Sequence, residues 1–167
     1  MSVSHTVIDT PIGLLTLVAT PLALREVRFP NGRPIGPADG PTEPGQEVLA
    51  QAARELAEYF DGSRLDFDVA LDPQGSPFQL AAWRGLRAIP YGTTVSYGEQ
   101  ARRLGHAGKA RAIGAANGSN PLPVIVPCHR VIGSDGSLTG FGGGLERKAW
   151  LLHHERQVLG LELPLSS

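Results

Sequence analysis

Short apolar segments separated by proline-containing turns fill the first thirty residues, a pattern typical of short β-strands. The apolar segments span residues 14–19 and 24–29, and the turns contain Pro11 and Pro21. Residues 30–45 are rich in proline and glycine and have no hydrophobic period, so they predict a surface loop.

A helix and then an extended segment are predicted after this loop. Residues 46–60 carry an apolar stripe at helical spacing and end at Asp61-Gly62. The stripe consists of Leu49, Ala53, Leu56 and Phe60. Residues 65–71 alternate apolar side chains with aspartates, which predicts a half-buried strand. Residues 1–75 therefore predict a small α/β domain, a short antiparallel sheet with one helix, in which no residues suggest chemistry.

Helical signals replace strand signals after the predicted linker at residues 73–75. Residues 76–79 combine a serine N-cap, a proline in the first turn and a glutamine three positions after the serine, which predicts a helix to about residue 88. Residues 96–99 repeat the capping-box pattern and open a second helix, and a glycine-containing turn leads to a third over residues 109–117. This pair is typical of a helix-turn-helix. With a last helix over residues 145–157, the chain is predicted to be α+β.

Composition narrows the class of protein. The length of 167 residues and a hydrophobic content of 41% suit one globular domain or two small ones. No apolar run is long enough to span a bilayer and no signal segment follows Met1, so we expect a cytoplasmic location and no membrane partner. The single cysteine excludes an internal disulfide and any multi-cysteine zinc site, and we expect neither metal nor cofactor.

Charge is distributed unevenly along the chain. Residues 1–75 carry five Arg or Lys and eleven Asp or Glu, whereas residues 76–167 carry ten and five. Between residues 76 and 130 the only acid is Glu99, against seven Arg or Lys. This asymmetry suggests an acidic domain beside one that can meet phosphates, although segregation of solvated charges by chance is the alternative interpretation.

Cys128 lies in an apolar run that extends from Val124 to Ile132, followed directly by His129 and Arg130. Such a run should be buried, and an unassisted buried cysteine is a poor nucleophile because its thiolate is desolvated. A histidine can accept the thiol proton directly or through water. Successive side chains of an extended segment point in opposite directions, so adjacency alone does not establish a Cys–His pair. A small core residue is the alternative interpretation of Cys128.

Glu155 is the predicted third member of this group. Leu145, Ala149 and Leu152 predict the apolar stripe of the last helix, and Glu155 continues it at the next helical step. A buried carboxylate needs a partner, and His129 would complete a Cys–His–Glu arrangement. In the alternative interpretation the helix frays and Glu155 is solvated.

The third predicted helix, residues 109–117, consists almost entirely of small residues around Arg111. A helix with its side chains is about 10–12 Å across, and the DNA minor groove is about 6 Å wide. Small side chains would let the helix backbone approach so narrow a surface. Close packing between helices explains the same residues equally well, and the basic balance of this region favours contact with DNA.

Several motifs resemble those of one family. They are Ile-Pro-Tyr-Gly-Thr-Thr-Val-Ser-Tyr at 89–97, Ala-Arg-Ala-Ile-Gly at 110–114, Asn120-Pro121, Pro-Cys-His-Arg-Val-Ile at 127–132, Gly143-Gly144-Leu145 and residues 148–155. Together they resemble the O6-alkylguanine-DNA alkyltransferases. The resemblance implies a ribonuclease H-like N-terminal domain over residues 1–75 and a DNA-binding and catalytic domain over residues 76–167. It also implies suicide methylated-DNA–protein-cysteine methyltransferase activity, in which an alkyl group leaves O6-alkylguanine in double-stranded DNA after nucleotide flipping.

The resemblance implies a role for each matching position. Cys128 is the alkyl acceptor, His129 activates it through a water, and Glu155 orients the imidazole. Asn120 braces the turn that carries the cysteine. Tyr97 donates to a guanine ring nitrogen and crowds the neighbouring phosphate.

DNA contacts and a substrate pocket are implied in the same way. Arg111 takes the place of the extruded nucleotide in the base stack. The backbone carbonyl of Val131 accepts from the guanine amino group, and the amide of Gly142 donates to the alkylated oxygen. The remaining implied DNA-binding residues are Ala110, Ala112, Gly114, Ala115 and Asn117. The remaining implied pocket residues are Pro123, Phe141 and Gly143.

Two features of the implied pocket affect its expected activity, one by departing from the family pattern and the other by leaving space for larger alkyl groups. Phe141 stands where relatives commonly carry tyrosine, which predicts a slower reaction or weaker lesion binding. Gly142 and Gly143 leave one pocket wall without bulk, which predicts tolerance of alkyl groups larger than methyl.

Two other functions compete with alkyl transfer. A non-catalytic alkyltransferase-like protein would bind and flip the lesion, but proteins of that kind lack the cysteine. A turnover cysteine hydrolase would need only the Cys–His–Glu group. The expected partner is alkylated double-stranded DNA, bound by a protein that is monomeric in solution, and clustering on DNA is left open.

Overall fold

A computed structural model describes residues 2–30 and 45–161 of the chain. The chain divides into two compact units, Met1–Gln74 and Gly75–Ser167. The predicted loop over residues 30–45 lies almost wholly outside the described residues. None of the helices within the described ranges has both the length and the apolar character needed to cross a bilayer.

The N-terminal unit contains a three-stranded antiparallel sheet. Its strands are β1 (Ser4–Thr10), β2 (Gly13–Ala19) and β3 (Leu24–Arg28), in the order β1-β2-β3. The predicted strands in the first thirty residues are confirmed. The β1–β2 turn is tight because the Thr10 hydroxyl donates to the Gly13 carbonyl and accepts from the Ile12 amide, and because Gly13 adopts a φ of 108°.

Helix α1 (Gln46–Asp61) packs on this sheet and ends where Gly62 adopts the left-handed conformation, with a φ of 87°. The predicted stripe of this helix was partly wrong. Ala53 and Phe60 are only half-buried, and Ala52 and Tyr59 lie in the core instead. The buried face is therefore rotated slightly, because a large aromatic at either 59 or 60 satisfies helical spacing and packing decides between them.

Residues 65–71 do not form the predicted strand. Phe67 and Val69 are buried and Asp66 and Asp68 are exposed, so the alternation is present there, although Leu65 is 41% exposed. The segment makes only an isolated bridge, from Leu71 to Leu24. Its backbone amides at Asp68 and Val69 are bound instead by the buried carboxylate of Glu55 on α1, each at 3.0 Å.

The C-terminal unit is mainly helical. Its helices are α2 (Pro77–Leu86), α3 (Tyr97–Arg103), α4 (Ala110–Gly118) and α5 (Leu145–Val158). Two short parallel strands, β4 (Val95–Ser96) and β5 (Val131–Ile132), pair with each other. The four predicted helices are confirmed, with α2 ending two residues earlier than predicted. The helix-turn-helix is α3 and α4, and its core includes Ala82, Ala101, Ile113 and Ala116.

Capping explains where the first two helices of this unit begin. Ser76 and Gln79 form the predicted capping box, since the serine hydroxyl accepts from the Gln79 amide and the Gln79 side chain accepts from the Ser76 amide. At α3 only half of the predicted box forms. The Ser96 hydroxyl accepts from the Glu99 amide, whereas the Glu99 carboxylate pairs with Arg102 and Arg103.

The predicted apolar stripe of α5 was wrong. Leu145 is 49% exposed, Ala149 is exposed and Leu152 is half-buried. The buried residues are Lys148, Leu151, His154 and Glu155. Glu155 is nevertheless fully buried, at 0% exposure, because it lies one turn beyond Leu151 on the true core face.

Candidate active site

The turn before Cys128 is held by the side chain of Asn120. Its Nδ2 donates to the Val126 carbonyl and its Oδ1 accepts from the Leu122 amide, both at 2.9 Å. The Val126 amide also donates to the Leu122 carbonyl at 2.8 Å. These bonds enclose Val124, which has a φ of 74° and is the one non-glycine residue with positive φ in the described ranges. A β-branched residue in this conformation is strained, so the turn depends on its clamp.

Cys128, His129 and Arg130 form a single 3₁₀ turn. The backbone is not extended at this point, so the alternation of side chains that would separate Cys128 from His129 in an extended segment does not apply. Cys128 is 7% exposed. Burial raises the pKa of its thiol to about 11, against the opposing effects of a hydrogen bond from the Asn120 side chain and the charge of Lys148. The resting cysteine is thus a thiol, which needs a base to become a nucleophile.

His129, the next residue in the chain, is a candidate base for this thiol. Its Nε2 lies 2.6 Å from Oε2 of Glu155, and both side chains have 0% exposure. An ionised carboxylate accepts here, so Nε2 carries the proton and Nδ1 is the basic nitrogen. Nδ1 is buried and makes no hydrogen bond within the described residues. Burial lowers the pKa of His129 and outweighs the raising effect of Glu155, so the imidazole is neutral near pH 7 and able to accept a proton.

Glu155 is held ionised by several donors. Arg130 donates two hydrogen bonds of 2.9 Å to Glu155, from Nε to Oε1 and from a terminal nitrogen to Oε2. The Gly92 amide also donates to Oε1, at 3.1 Å. Burial raises the pKa of Glu155, but the hydrogen bonds and charges of His129 and Arg130 together lower it well below its usual range.

Sequence reasoning identified Glu155 and missed Arg130 as its partner. Arg130 is 5% exposed, and it also donates to the Ile89 carbonyl at 2.8 Å and lies 5.4 Å from the ring centre of Tyr91. The signal was available, because an arginine in a buried apolar run needs a partner, and a carboxylate is the natural one.

Tyr97 reaches the same region from the start of α3. Its position follows from the β4–β5 pair, since Tyr97 directly follows β4 and the Cys128 turn directly precedes β5. The Tyr97 hydroxyl donates to the Thr139 carbonyl at 3.0 Å. Lys148, fully buried, donates to the same carbonyl at 2.7 Å and lies 3.5 Å from the hydroxyl. Burial lowers the pKa of Lys148, and the negative charge of Cys128 in its thiolate form opposes this shift.

The implied pocket residues differ in exposure. Val131 has 0% exposure, and Pro123 and Gly143 are also buried. Phe141 is half-buried and Gly142 is exposed. In Gly142 a Cβ would meet no atom within 4 Å, so this wall has space.

The implied DNA-binding residues lie on α4, on two different faces. Arg111, Ala112 and Ala115 are exposed, and Ala110 and Gly114 are half-buried. Asn117 is 6% exposed and pairs with Gln100 inside the unit. Its side chain therefore does not lie on the outer face of α4.

The residues brought together can generate a nucleophile. A buried thiol, a neutral imidazole and an ionised carboxylate occupy one small region, and a proton moved from sulfur to imidazole would be stabilised by Glu155. Within the described ranges no cluster of three or more His, Cys, Asp or Glu side chains could hold a metal ion.

Comparison with known proteins extends over both units. Residues 77–157 match the family model for the DNA binding domain of 6-O-methylguanine DNA methyltransferase, and residues 3–73 match the model for its ribonuclease-like domain. The methylated-DNA–protein-cysteine methyltransferase of Mycolicibacterium paratuberculosis is 47% identical over 155 residues, 93% of each chain.

Two further relatives come from mycobacteria. The enzyme of the same name from Mycobacterium tuberculosis H37Rv is 44% identical over 163 residues, 98% of each chain. The solved structure of Mycobacterium tuberculosis OGT in complex with DNA is 43% identical, covers 93% of this chain and 94% of that chain, and superposes with a TM-score of 0.85. The α+β architecture predicted from the sequence is confirmed by this match. This chain therefore belongs to the 6-O-methylguanine DNA methyltransferase family.

Proposed function

We propose that this protein repairs O6-alkylguanine in double-stranded DNA by transferring the alkyl group to Sγ of Cys128 in a single, irreversible turnover. One observation carries the proposal. A buried thiol lies directly before a neutral histidine whose Nε2 is held by an ionised glutamate, which leaves Nδ1 as the proton acceptor.

The reaction begins with removal of the thiol proton. The pKa of Cys128, about 11, makes a free thiolate scarce at pH 7, so the proton must leave as the sulfur attacks. His129 accepts it at Nδ1 through a bridging water, and Glu155 stabilises the resulting imidazolium. Arg130 keeps Glu155 ionised throughout.

The sulfur then attacks the alkyl carbon in line with the bond to O6. The S–C bond forms, the C–O6 bond breaks, and the electron pair leaves with guanine. Tyr97 stabilises this developing negative charge once its hydroxyl turns from the Thr139 carbonyl to a guanine ring nitrogen. The His129 imidazolium then releases its proton to solvent and the guanine anion takes one up, so in net terms a thiol and an O6-alkylguanine become a thioether and guanine.

Access to the lesion requires a flipped nucleotide. Unpairing costs a few kcal/mol, which a damaged pair partly lowers. Helix α4 supports this role because its outer face offers Arg111 among small exposed residues, a surface that suits a minor groove of about 6 Å. Arg111 fills the gap that the nucleotide leaves in the stack.

Intact-protein mass spectrometry tests the function. The protein is incubated with a duplex containing O6-methylguanine, and a mass increase of one methyl group on Cys128 is expected. An undamaged duplex and the variant Cys128→Ser should both give unmodified protein. Transfer should stop at one methyl group per protein, since a thioether has no easy return path.

Two results would contradict the proposal and identify its competitors. Unmodified protein that stays bound to the lesion would indicate a lesion-binding protein. Product that accumulates beyond one equivalent per protein without DNA would indicate a cysteine hydrolase.

We also propose that the active form is a single copy on alkylated double-stranded DNA, in the cytoplasm. The mycobacterial relative with a solved DNA complex supports the choice of DNA as partner. Measuring the number of copies bound to duplexes of increasing length tests the monomer against clustering, and cell fractionation tests the location.

A further inference from the structure

Two buried amide side chains join the helices of the helix-turn-helix. Gln100 on α3 is 3% exposed and Asn117 on α4 is 6% exposed. Nε2 of Gln100 donates to Oδ1 of Asn117 at 3.1 Å, and Nδ2 of Asn117 donates to Oε1 of Gln100 at 2.8 Å. Because the pair is reciprocal, displacing one helix relative to the other breaks both bonds.

The other contacts between α3 and α4 define their register only weakly. Apart from Ile113, the buried core residues here are alanines, and Phe78, Tyr97 and Leu104 pack against them partly buried. A Cβ on Gly114 would only just touch the Tyr97 ring, at 3.8 Å. Small side chains form shallow ridges and grooves, so the alanines of this interface resist sliding or rotation of α4 less than large interlocking side chains would. Hydrogen bonds are directional, and a buried amide pair therefore fixes a register that such a surface leaves loose.

The pair lies close to residues that the proposed reaction uses. On α3, Tyr97 precedes Gln100 by three residues and shares its side of the helix. On α4, Asn117 lies on the inner face while Arg111 is exposed on the outer one. The neighbouring carbonyl of Ala116 accepts from Nε1 of Trp83 at 2.8 Å, so the same turn of α4 is also held to α2.

A small change in the register of α4 against α3 would displace the side chains on the outer face of α4. With a helix radius of about 5–6 Å, a rotation of about 20° moves an outer side chain by roughly 2 Å. Misplacement of about 1 Å in a reacting group can cost about a hundredfold in rate.

We propose that Gln100 and Asn117 are positioning residues, whose amide pair holds the outer face of α4 in register with Tyr97 so that a flipped nucleotide is presented to Cys128. Neither residue touches DNA in this role. The inference rests on the proposed function and adds to it the device that aligns the two helices.

The test replaces both amides at once, with Gln100→Leu and Asn117→Leu in one protein. Removing both partners leaves no unpaired buried amide, so the thermal midpoint should stay within a few degrees of wild type. Two rates are then compared. One is methyl transfer from O6-methylguanine in saturating duplex, and the other is alkylation of Cys128, the only cysteine, by iodoacetamide without DNA.

The expected result is a split between these rates. Transfer from duplex should fall by about tenfold to a hundredfold, while the iodoacetamide rate stays within about twofold of wild type. The exchange Gln100→Asn with Asn117→Gln keeps an amide on each helix and should recover most of the duplex rate. Ile113→Val is the matched control, since it weakens the same interface and keeps the pair, and it should leave the ratio of the two rates unchanged.

Either of two outcomes would overturn the inference. If the double leucine variant transfers methyl from duplex at an unchanged rate, the amide pair contributes only to packing and does not position α4. An equal fall in both rates would place its effect on Cys128 itself. If the double leucine variant does not fold, Gln100→Met combined with Asn117→Met provides the same comparison, since it also leaves no unpaired buried amide. Failure of the wild-type protein to take up a methyl group from duplex would reject the proposed function instead, before any variant is measured.

Discussion

The two units each bury one glutamate within the described residues, and these two carboxylates are held by different kinds of donor. Glu55 in the N-terminal unit is 1% exposed and accepts from the backbone amides of Asp68 and Val69 and from Gln51. Glu155 in the C-terminal unit is fully buried and accepts chiefly from side chains that carry or can take up a proton, His129 and Arg130.

This difference shows what a buried charge does in each unit. A carboxylate that faces backbone amides fixes the path of the chain, because those donors cannot change their protonation state. A carboxylate that faces an imidazole also sets which nitrogen is protonated and stabilises its cation. The donors around Glu55 therefore indicate a structural role, and those around Glu155 indicate a chemical one, although the two carboxylates are buried to the same extent.

Glu155→Gln should give the largest effect. The neutral amide leaves Arg130 buried without its counter-charge, and the unfolding free energy should fall by about 3–5 kcal/mol. Single-turnover transfer should slow by about a hundredfold or more, since the His129 cation loses its support. Urea unfolding and rapid-quench transfer measure the two effects. Glu146→Gln, an exposed site on the same helix, is the control, and a normal transfer rate in Glu155→Gln would contradict the chemical role.

Glu55→Gln should affect stability alone. Loss of a charged acceptor for two backbone amides should lower the unfolding free energy by about 1–3 kcal/mol. The transfer rate should not change, measured at a temperature where the variant is fully folded. Glu47→Gln on the exposed side of α1 serves for comparison and should be close to neutral. A slowed transfer in Glu55→Gln would remove the contrast between the units.

The pH dependence of stability should report on the buried His129 and Glu155 of the C-terminal unit. Burial lowers the pKa of His129 from 6.5, so the unfolded chain takes up this proton first as the pH falls. The contribution of the neutral His129 to the unfolding free energy is therefore full above about pH 6.5. Below that pH the unfolding free energy declines, by up to about 1.4 kcal/mol per pH unit. The lowered pKa of Glu155 adds a loss of the same sign only below about pH 4.5.

Urea unfolding at pH 7, 6 and 5 measures the first of these losses. The variant His129→Gln should unfold with a shallower dependence on pH over this range than the wild-type protein. Parallel curves for the two proteins would indicate that His129 does not titrate differently on unfolding.

Phe141→Tyr should give the smallest effect, on the pocket wall of the C-terminal unit. Phe141 is half-buried, so an added hydroxyl has access to solvent or to a bound base. We expect transfer to become faster by a few-fold, because the added hydroxyl can form one hydrogen bond, which contributes about 0.5–1.5 kcal/mol. Single-turnover rates and lesion affinity measure this. If both are equal in the two proteins, the phenylalanine is not a functional departure.

Local signals in the sequence were enough to predict the helices and most of the sheet. The Ser76 capping box, Gly62 and the alternating strands are determined by residues close together in the chain, which is why they could be predicted. The strand predicted over residues 65–71 failed because pairing depends on a neighbour, and here Glu55 supplies the amides' partner.

The site was predicted less completely, for a physical reason. The predicted stripe of α5 did not include Lys148, which is buried, since nothing local predicts that the Thr139 carbonyl will bind this lysine. Glu155 was identified as buried through a stripe that the structure does not contain. The roles of Cys128, Asn120 and Tyr97 came from family resemblance, because spacing alone left Cys128 open to a core interpretation.

Val124 gives the segment that carries the nucleophile a mechanical character. Its backbone conformation costs about 1–3 kcal/mol, held in place by the hydrogen bonds of Asn120 and of Val126. The folded segment therefore stores strain energy in its backbone. Loss of any of those hydrogen bonds would release this strain, so the backbone would move away from its present conformation rather than stay in it.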